Sequence, residues 1–329
     1  MREYDENLME FTTRAYNKFE YNSKTRASII KSSKEDRLLG EIEYYQNLPK
    51  ELQVYFPRLL NSSINDSVYF MELEYYAYGN LGNVMTTKDY DFDFWDKAFE
   101  FIFSYINNYK ESTTISASKE DSLLMFIDKT EKEYSNLMNG FEFFSQFKDT
   151  KEFIFNGKVL KSFETIWESV KNYIASSTLC ESFYFIHGDL CFSNILYGVN
   201  NITNDVILKF IDPRGIFGKT KFFGDLYYDL AKISHSCNGG YEFFIYDKFD
   251  VSNLKNEFNL TYHNEQRKKD VNNQFLSISE QYKFDYTKIK LIEGLIFVGM
   301  CARHYDSLNR QKAMLLTGLN ILNDVYENL

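Results

Sequence analysis

The 329-residue sequence is poor in the residues that mark several protein classes. Its 3 prolines, Pro49, Pro57 and Pro213, argue against a linker-rich chain. Its 4 cysteines, Cys180, Cys191, Cys237 and Cys301, are scattered with no CxxC pair. Reduced thiols in a cytoplasmic protein fit this better than a disulfide frame or a zinc site. There is no dense Lys/Arg block and the formal net charge is −10, so nucleic acid is a poor partner. An acidic balance admits a cationic small molecule or serves solubility alone. The longest apolar run near the C-terminal end, Gly294 to Ala302, is too short to span a bilayer, and MREYDENLMEF lacks the apolar core of a signal peptide. Glycine is absent from Arg14 to Arg26, and Gly79 and Gly82 lack the Lys-Ser/Thr of a P-loop.

What is present is aromatic. Phe, Tyr and Trp make up 18% of the chain, with 31 Phe and 26 Tyr, enough for a sizeable core. The length suggests two lobes. Residues 27–31 read as a strand, Leu38 to Leu48 as a helix stopped by Pro49, and Val68 to Leu73 as a second strand. From Phe92 the pattern turns helical, with Trp95, Phe99, Phe103 and Ile106 on one stripe. Further helices are expected at 121–138, 161–175, 226–233, 289–303 and 310–325. Phe183 to Ile186 reads as a short buried strand. Ile195 to Tyr197 and Val206 to Ile211 read as a hairpin about the turn Asn200–Asn201.

The informative stretch is His187–Gly188–Asp189–Leu190–Cys191–Phe192–Ser193–Asn194, followed after the hairpin by Ile211–Asp212–Pro213–Arg214–Gly215. Phosphoryl transfer needs an acceptor for a hydroxyl proton and oxygen ligands for Mg²⁺ beside a triphosphate. Asp189 could be the base, and Asn194 and Asp212 the metal ligands. A two-stranded hairpin returns the chain to its starting end, so these last two can meet despite their separation. Asp189 alone could equally be a turn cap, and Asn194 alone an ordinary turn residue.

HGDLCFSN, IDPRG and the helix GDLYYDLAK at 224–232 together resemble the motifs of the aminoglycoside phosphotransferase and choline kinase group, relatives of the protein kinases. DPRG, the stretch His235 to Tyr241 and RHYDSLNRQ from Arg303 are similar to phosphotransferases of bacterial capsule and surface-polysaccharide gene clusters, where a sugar nucleotidyltransferase can accompany the kinase-like domain. The resemblance implies an α+β, bilobal, protein-kinase-like fold: a small β-rich nucleotide-binding lobe over 1–75 and a mainly helical catalytic and substrate-binding lobe over 76–329, with ATP between them. It implies Asp189 as base and Asn194 and Asp212 as Mg²⁺ ligands. Lys31 corresponds to the phosphate-binding lysine and Glu41, chosen over Glu43, to its ion-pair partner. Glu72 to Glu74 correspond to the hinge whose backbone meets adenine. No GxGxxG precedes Lys31, which leaves GTP possible as donor.

Supporting roles are expected at further positions. His187 is read as a residue that holds the loop. Arg214 binds a substrate anion or pairs with a loop acid. Asp225 and Asp229 are structural, one orienting the catalytic loop and the other lying beside Lys232. His304, with Arg303 and Asp306, either lines the acceptor pocket or belongs to a helix-end charge cluster. The expected activity is an ATP- and Mg²⁺-dependent phosphorylation of a small-molecule hydroxyl, on a sugar, polyol or amino alcohol of surface-glycan assembly. The alternatives are a choline- or aminoglycoside-type kinase with a cationic acceptor, and a nucleotide-binding pseudokinase that serves as a partner module.

Overall fold

The structure, a computed structural model, describes residues 18–22, 27–65, 68–87, 90–200 and 202–329. Most of the glycine-free segment Arg14 to Arg26, and Asn201 of the expected turn, lie outside the described residues. The chain divides into two compact units, Met1–Tyr78 and Gly79–Leu329.

In the first unit β1 (Lys18–Tyr21), β2 (Ser28–Ser33), β3 (Leu59–Asn65) and β4 (Val68–Glu74) form an antiparallel sheet in the order β1-β2-β4-β3. One helix, α1 (Asp36–Asn47), follows β2 and buries Leu38, Ile42 and Tyr45, a spacing that puts all three on one face. It ends because Leu48 precedes Pro49, whose ring disfavours helical backbone at the residue before it; Leu48 is extended.

The second unit opens with β5 (Gly79–Asn80), α2 (Leu81–Thr87) and the aromatic helix α3 (Phe92–Glu111), which buries Trp95, Phe99, Phe103 and Ile106. Then come β6 (Thr114–Ser116), α4 (Lys119–Leu123), a π-helical turn at Leu124–Asp128, α5 (Lys129–Gly140) and α6 (Glu142–Ser145). A pair of strands, β7 (Glu152–Phe155) and β8 (Lys158–Lys161), leads into α7 (Phe163–Tyr173) and β9 (Ser182–Phe185). The hairpin β10 (Ile195–Val199) and β11 (Val206–Phe210) precedes three two-residue strands, β12 (Ile216–Phe217), β13 (Thr220–Lys221) and β14 (Phe223–Gly224). Helices α8 (Leu226–Cys237) and α9 (Tyr241–Ile245), a hairpin of β15 (Phe249–Leu254) and β16 (Glu257–Tyr262), and α10 (Glu265–Gln281), α11 (Tyr286–Val298) and α12 (Leu308–Tyr326) complete it.

Two features of this unit go beyond the sequence expectation. Strands from distant segments meet in a sheet of order β15-β16-β7-β8, in which β16 runs parallel to β7. Its inward residues Phe155, Leu160, Phe249, Phe258 and Leu260 join Leu137, Phe144, Phe244 and Met314 in one apolar cluster. The second is α10, whose polar sequence buries Val271, Phe275, Ile278 and Ser279. Helices α11 and α12 cross closely: a methyl on Gly294 would stand 2.7 Å from Leu322 Cγ, and one on Gly318 would stand 3.1 Å from the Gly294 carbonyl oxygen. Only glycine permits that approach.

Candidate active site

The hairpin sets the site. Ile195 pairs with Phe210 and Val199 with Val206, and the Ile211 N–H donates to the Asn194 carbonyl (3.0 Å). Asn194 therefore stands opposite Ile211, beside Asp212, at the open end of the hairpin. Asp212 is exposed and has φ +55° immediately before Pro213, a left-handed backbone that a non-glycine residue adopts at a cost of about 1–3 kcal/mol. On its other edge β10 pairs with β5, Leu196 opposite Asn80.

The loop from His187 to Asn194 is held from beneath by a buried carboxylate. The N–H groups of His187 (2.8 Å) and Gly188 (2.7 Å) both donate to Asp229. Gly188 has φ +77°, and a methyl there would stand 3.2 Å from the Arg214 carbonyl oxygen. The fully buried His187 ring joins loop to hairpin. Its Nε2–H donates to the Ile211 carbonyl (3.0 Å), and its Nδ1 accepts from the Asp189 N–H (3.2 Å). That pairing requires the neutral ring, and burial lowers its pKa to about 4. The Asn194 amide nitrogen donates to the Asp189 carbonyl (2.8 Å), and the amide oxygen makes no hydrogen bond to the described residues. The Arg214 N–H donates to the His187 carbonyl (2.7 Å). Beneath Phe192 and Ser193 lies the buried Glu242, which accepts from the Ser193 N–H (3.2 Å) and the Ser236 hydroxyl (2.9 Å). Ser236 in turn accepts from the Phe192 N–H (3.0 Å). Cys191 is buried in the same loop, and burial raises its thiol far above the usual range.

Asp189 meets Lys232 of α8 at 2.8 Å; the lysine side chain is 10% exposed and the aspartate 40%. Burial opposes ionisation of this carboxyl, but the charges of Lys232 and Arg214 outweigh it and hold the group well below the usual carboxylate range. Tyr228, one helical turn before Lys232, is buried and its hydroxyl accepts from Arg214 Nη1 (3.4 Å). The Lys129 ammonium lies 5.8 Å from the centre of its ring. Burial pushes the Tyr228 phenol up, yet Lys129, Arg214 and Lys232 bring it down to about 8. Lys129 is itself lowered, first by burial and then by the charges of Arg214, Arg303 and Lys232.

The remaining expected residues fall as follows. Asp225 caps α8 through the Tyr227 N–H (3.0 Å) and pairs with Lys288 (2.8 Å); the carboxylate that holds the 187–194 loop is Asp229, and Lys232 turns to Asp189 instead. The charge cluster expected around His304 is dispersed: Arg303 pairs with Glu133 (2.7 Å) and Asp306 with Arg310 (2.9 Å), while the His304 ring lies 6.4 Å from that of Tyr241. In the first unit Lys31 lies inside β2 and its ammonium is 2.6 Å from Glu41 of α1, both side chains under one-tenth exposed. Glu72 lies inside β4 between Ile30 and Asn61, so its backbone belongs to the sheet; its carboxylate accepts from Asn22 (2.8 Å) and Ser28. The Glu74 N–H is taken by the Arg58 carbonyl (2.9 Å) and its carboxylate by Tyr76 (2.9 Å). The backbone of Glu72 and the N–H of Glu74 are thus engaged within the first unit.

Sequence reasoning did not reach Lys129, Tyr228 or Glu242, nor Lys232 as partner of Asp189. GDLYYDLAK contains both Tyr228 and Lys232, one turn apart on the loop-facing side of α8, which is a usable signal. Lys129 lies far away in the chain and no local pattern marks it.

No protein-family model matches the sequence, and no curated protein matches it. Solved structures match over nearly the whole chain. A thermostable mutant of aminoglycoside phosphotransferase APH(4)-Ia, in ternary complex with AMP-PNP and hygromycin B, superposes with a TM-score of 0.55 at 9% identity, covering 97% of this chain and 95% of that one. The GDP complex of a point mutant of aminoglycoside 2'-phosphotransferase-IIIa gives 0.53 at 13% identity, covering 92% and 85%. APH(3'')-Id from Streptomyces rimosus gives 0.50 at 13%, covering 86% and 92%. At such identities the likeness is one of architecture. The chain has the α+β, protein-kinase-like fold that these aminoglycoside phosphotransferases share.

Proposed function

We propose that the protein transfers the γ-phosphoryl group of ATP to a hydroxyl of a small molecule, with Asp189 as base. The observation that carries this reading is the joining of Asp189, Asn194 and Asp212 around one hairpin end in a kinase-like fold: Asn194 is bonded to Asp189 and stands opposite the residue before Asp212. Asp189 orients the acceptor hydroxyl and takes its proton as the acceptor oxygen bonds to phosphorus. The bond from phosphorus to the bridging oxygen breaks, ADP leaves, and the proton passes from Asp189 to water. A carboxylate held this acidic by Lys232 is a weak base, so its contribution is orientation and late proton acceptance, as suits a loose phosphoryl-transfer transition state.

Asn194 and Asp212 fit a magnesium ion. Both are hard oxygen donors, the Asn194 amide oxygen is unengaged among the described residues, and Asp212 is exposed in a strained conformation. Bound there, Mg²⁺ would neutralise phosphate charge. In the first unit Lys31, fixed by Glu41, would neutralise oxygens of the donor phosphates. GTP remains the competing donor. The stretches at 212–215, 235–241 and 303–311 favour a sugar, polyol or amino alcohol of capsule or surface-glycan assembly, with a sugar nucleotidyltransferase as companion activity.

The test is a melting curve with Mg²⁺·ATP, Mg²⁺·GTP and neither, followed by ATP consumption over a panel of hydroxyl acceptors. A raised Tm with Mg²⁺·ATP at millimolar concentration is expected from mass action, and Lys31→Met should reduce it. No shift with either purine nucleotide would remove the kinase reading.

A further inference from the structure

We infer that the acceptor bound beside Asp189 carries an anionic group, a phosphate or carboxylate, held by Lys129 and Arg214. This rests on the reading of Asp189 as the residue that meets the acceptor hydroxyl.

Three cations act on Tyr228, Lys129 from α5, Arg214 from the segment after the hairpin and Lys232 from α8, and a fourth, Arg303 from the turn before α12, acts on Lys129. Two of them have carboxylates, Lys232 with Asp189 and Arg303 with Glu133. Lys129 and Arg214 have none among the described residues: Lys129 meets only the face of Tyr228, and the Arg214 guanidinium meets only the Tyr228 hydroxyl, at 3.4 Å. Two cations without an ion pair, each within reach of the other's charge, repel, and partial burial deepens the cost. A chain with net charge −10 has acids to spare for them, yet the one acid that acts on this cluster, Asp189, is paired with Lys232. Sites of this kind are built for an anion that arrives with a ligand.

The cluster borders the acceptor residue. Asp189 is among the charges that act on Tyr228, and its partner Lys232 is among those that act on Lys129. Backbone design agrees. The π-helical turn Leu124–Asp128 ends directly before Lys129; such turns insert an extra residue and re-aim the side chains that follow, frequently at functional sites. The Arg214 backbone is pinned to the His187 carbonyl, so its side chain starts from a fixed point beside Asp189. A guanidinium with an ammonium suits a planar or tetrahedral oxyanion. A polycationic acceptor would meet the same two charges as repulsion.

The experiment uses the full chain and three variants, Lys129→Met, Arg214→Met and the charge-retaining Lys129→Arg. Inorganic phosphate and D-glucuronate are titrated calorimetrically without nucleotide, and Mg²⁺·AMP-PNP is titrated separately. Phosphate and glucuronate should bind the wild type, each Met variant should lose about tenfold or more in affinity, and Lys129→Arg should keep most of it. AMP-PNP affinity should stay within about twofold in all three. Phosphorylation of matched sugars should favour glucuronate or glucose 6-phosphate over glucose, and glucose over glucosamine. Undiminished anion binding in the Met variants, a parallel loss of AMP-PNP affinity, or preference for glucosamine would each overturn the inference. Anion binding that depends on Lys129 in a protein without nucleotide affinity would instead retain the anion site and defeat the kinase reading.

Discussion

Asp189 and Asp212 are both acids, but their surroundings differ, and the proposed function gives them different work. Asp189 is anchored to Lys232, while Asp212 stands exposed beside Asn194 with left-handed backbone. Asp189→Asn should lower turnover by roughly a hundred- to ten-thousand-fold and leave nucleotide affinity nearly intact. Asp212→Asn should weaken Mg²⁺-dependent nucleotide binding as well as turnover, with partial rescue by added Mg²⁺. A Mg²⁺ titration of ATP binding and turnover in both variants checks this, and exchanged phenotypes would exchange the roles. At this scale the short motif was legible because its residues lie close in sequence or are returned by a hairpin. The loop-holding carboxylate was harder to read. Asp229 lies three residues before Lys232 on one helix and suggested a local ion pair, but Asp229 turns to two backbone N–H groups of the loop and Lys232 to Asp189. Lys129 and Tyr228 were illegible as a pair because nothing local joins α5 to α8.

Helices were readable where one face is apolar and the ends carry their own signals. Asp91, Ser162, Asp225, Asp285 and Ser307 each accept a backbone N–H at the start of α3, α7, α8, α11 and α12. Each such cap is worth about 1 kcal/mol. The sheet of β7, β8, β15 and β16 was missed because its two hairpins lie about a hundred residues apart and neither is complete alone. Helix α10 was missed because four buried residues among seventeen give a weak stripe. Glycine acts on elements in two opposite ways here. Gly318 lets α12 approach α11, so Gly318→Ala should destabilise by about 1–3 kcal/mol. Gly40 lies within α1 with open space where a methyl would go, so Gly40→Ala should stabilise by about 0.4–1 kcal/mol. Urea unfolding of the two variants checks both signs; equal effects would show that the α11–α12 crossing tolerates a methyl.

Across the whole molecule, burial of ionisable groups shapes how stability depends on pH. Glu293 of α11 is fully buried, accepts from Ser234 (2.6 Å) and Asn238 (3.1 Å), and burial raises it to about 7. Burial likewise raises Asp229 and Glu242 to about 7. The unfolded chain releases such protons near pH 4, so between about pH 4 and 7 the native state binds more of them, and stability from these groups falls as pH rises. His187 and His235 act the other way: burial keeps them neutral, the unfolded chain protonates them below about pH 6.5, and stability falls as pH drops through that value. Glu293→Gln removes one acid from this balance. Its stability relative to wild type should therefore improve from pH 5 to pH 8, measured by urea unfolding at both; a constant difference would mean Glu293 titrates alike folded and unfolded. The division into a strand-rich first unit and a helix-rich second was legible from the order of segments, and the kinase-like fold from the resemblance of the motifs at 187–194, 211–215 and 224–232. This balance was not, because it depends on which acids the tertiary packing encloses. The scattered cysteines acquire a use from the same enclosure. Cys191, Cys237 and Cys301 are buried and their thiols raised, so an alkylating reagent reaches each only when its surroundings open. The chain thus carries three built-in clocks. The one at Cys191 runs at the opening rate of the loop that holds Asp189, and the other two time the helical interior.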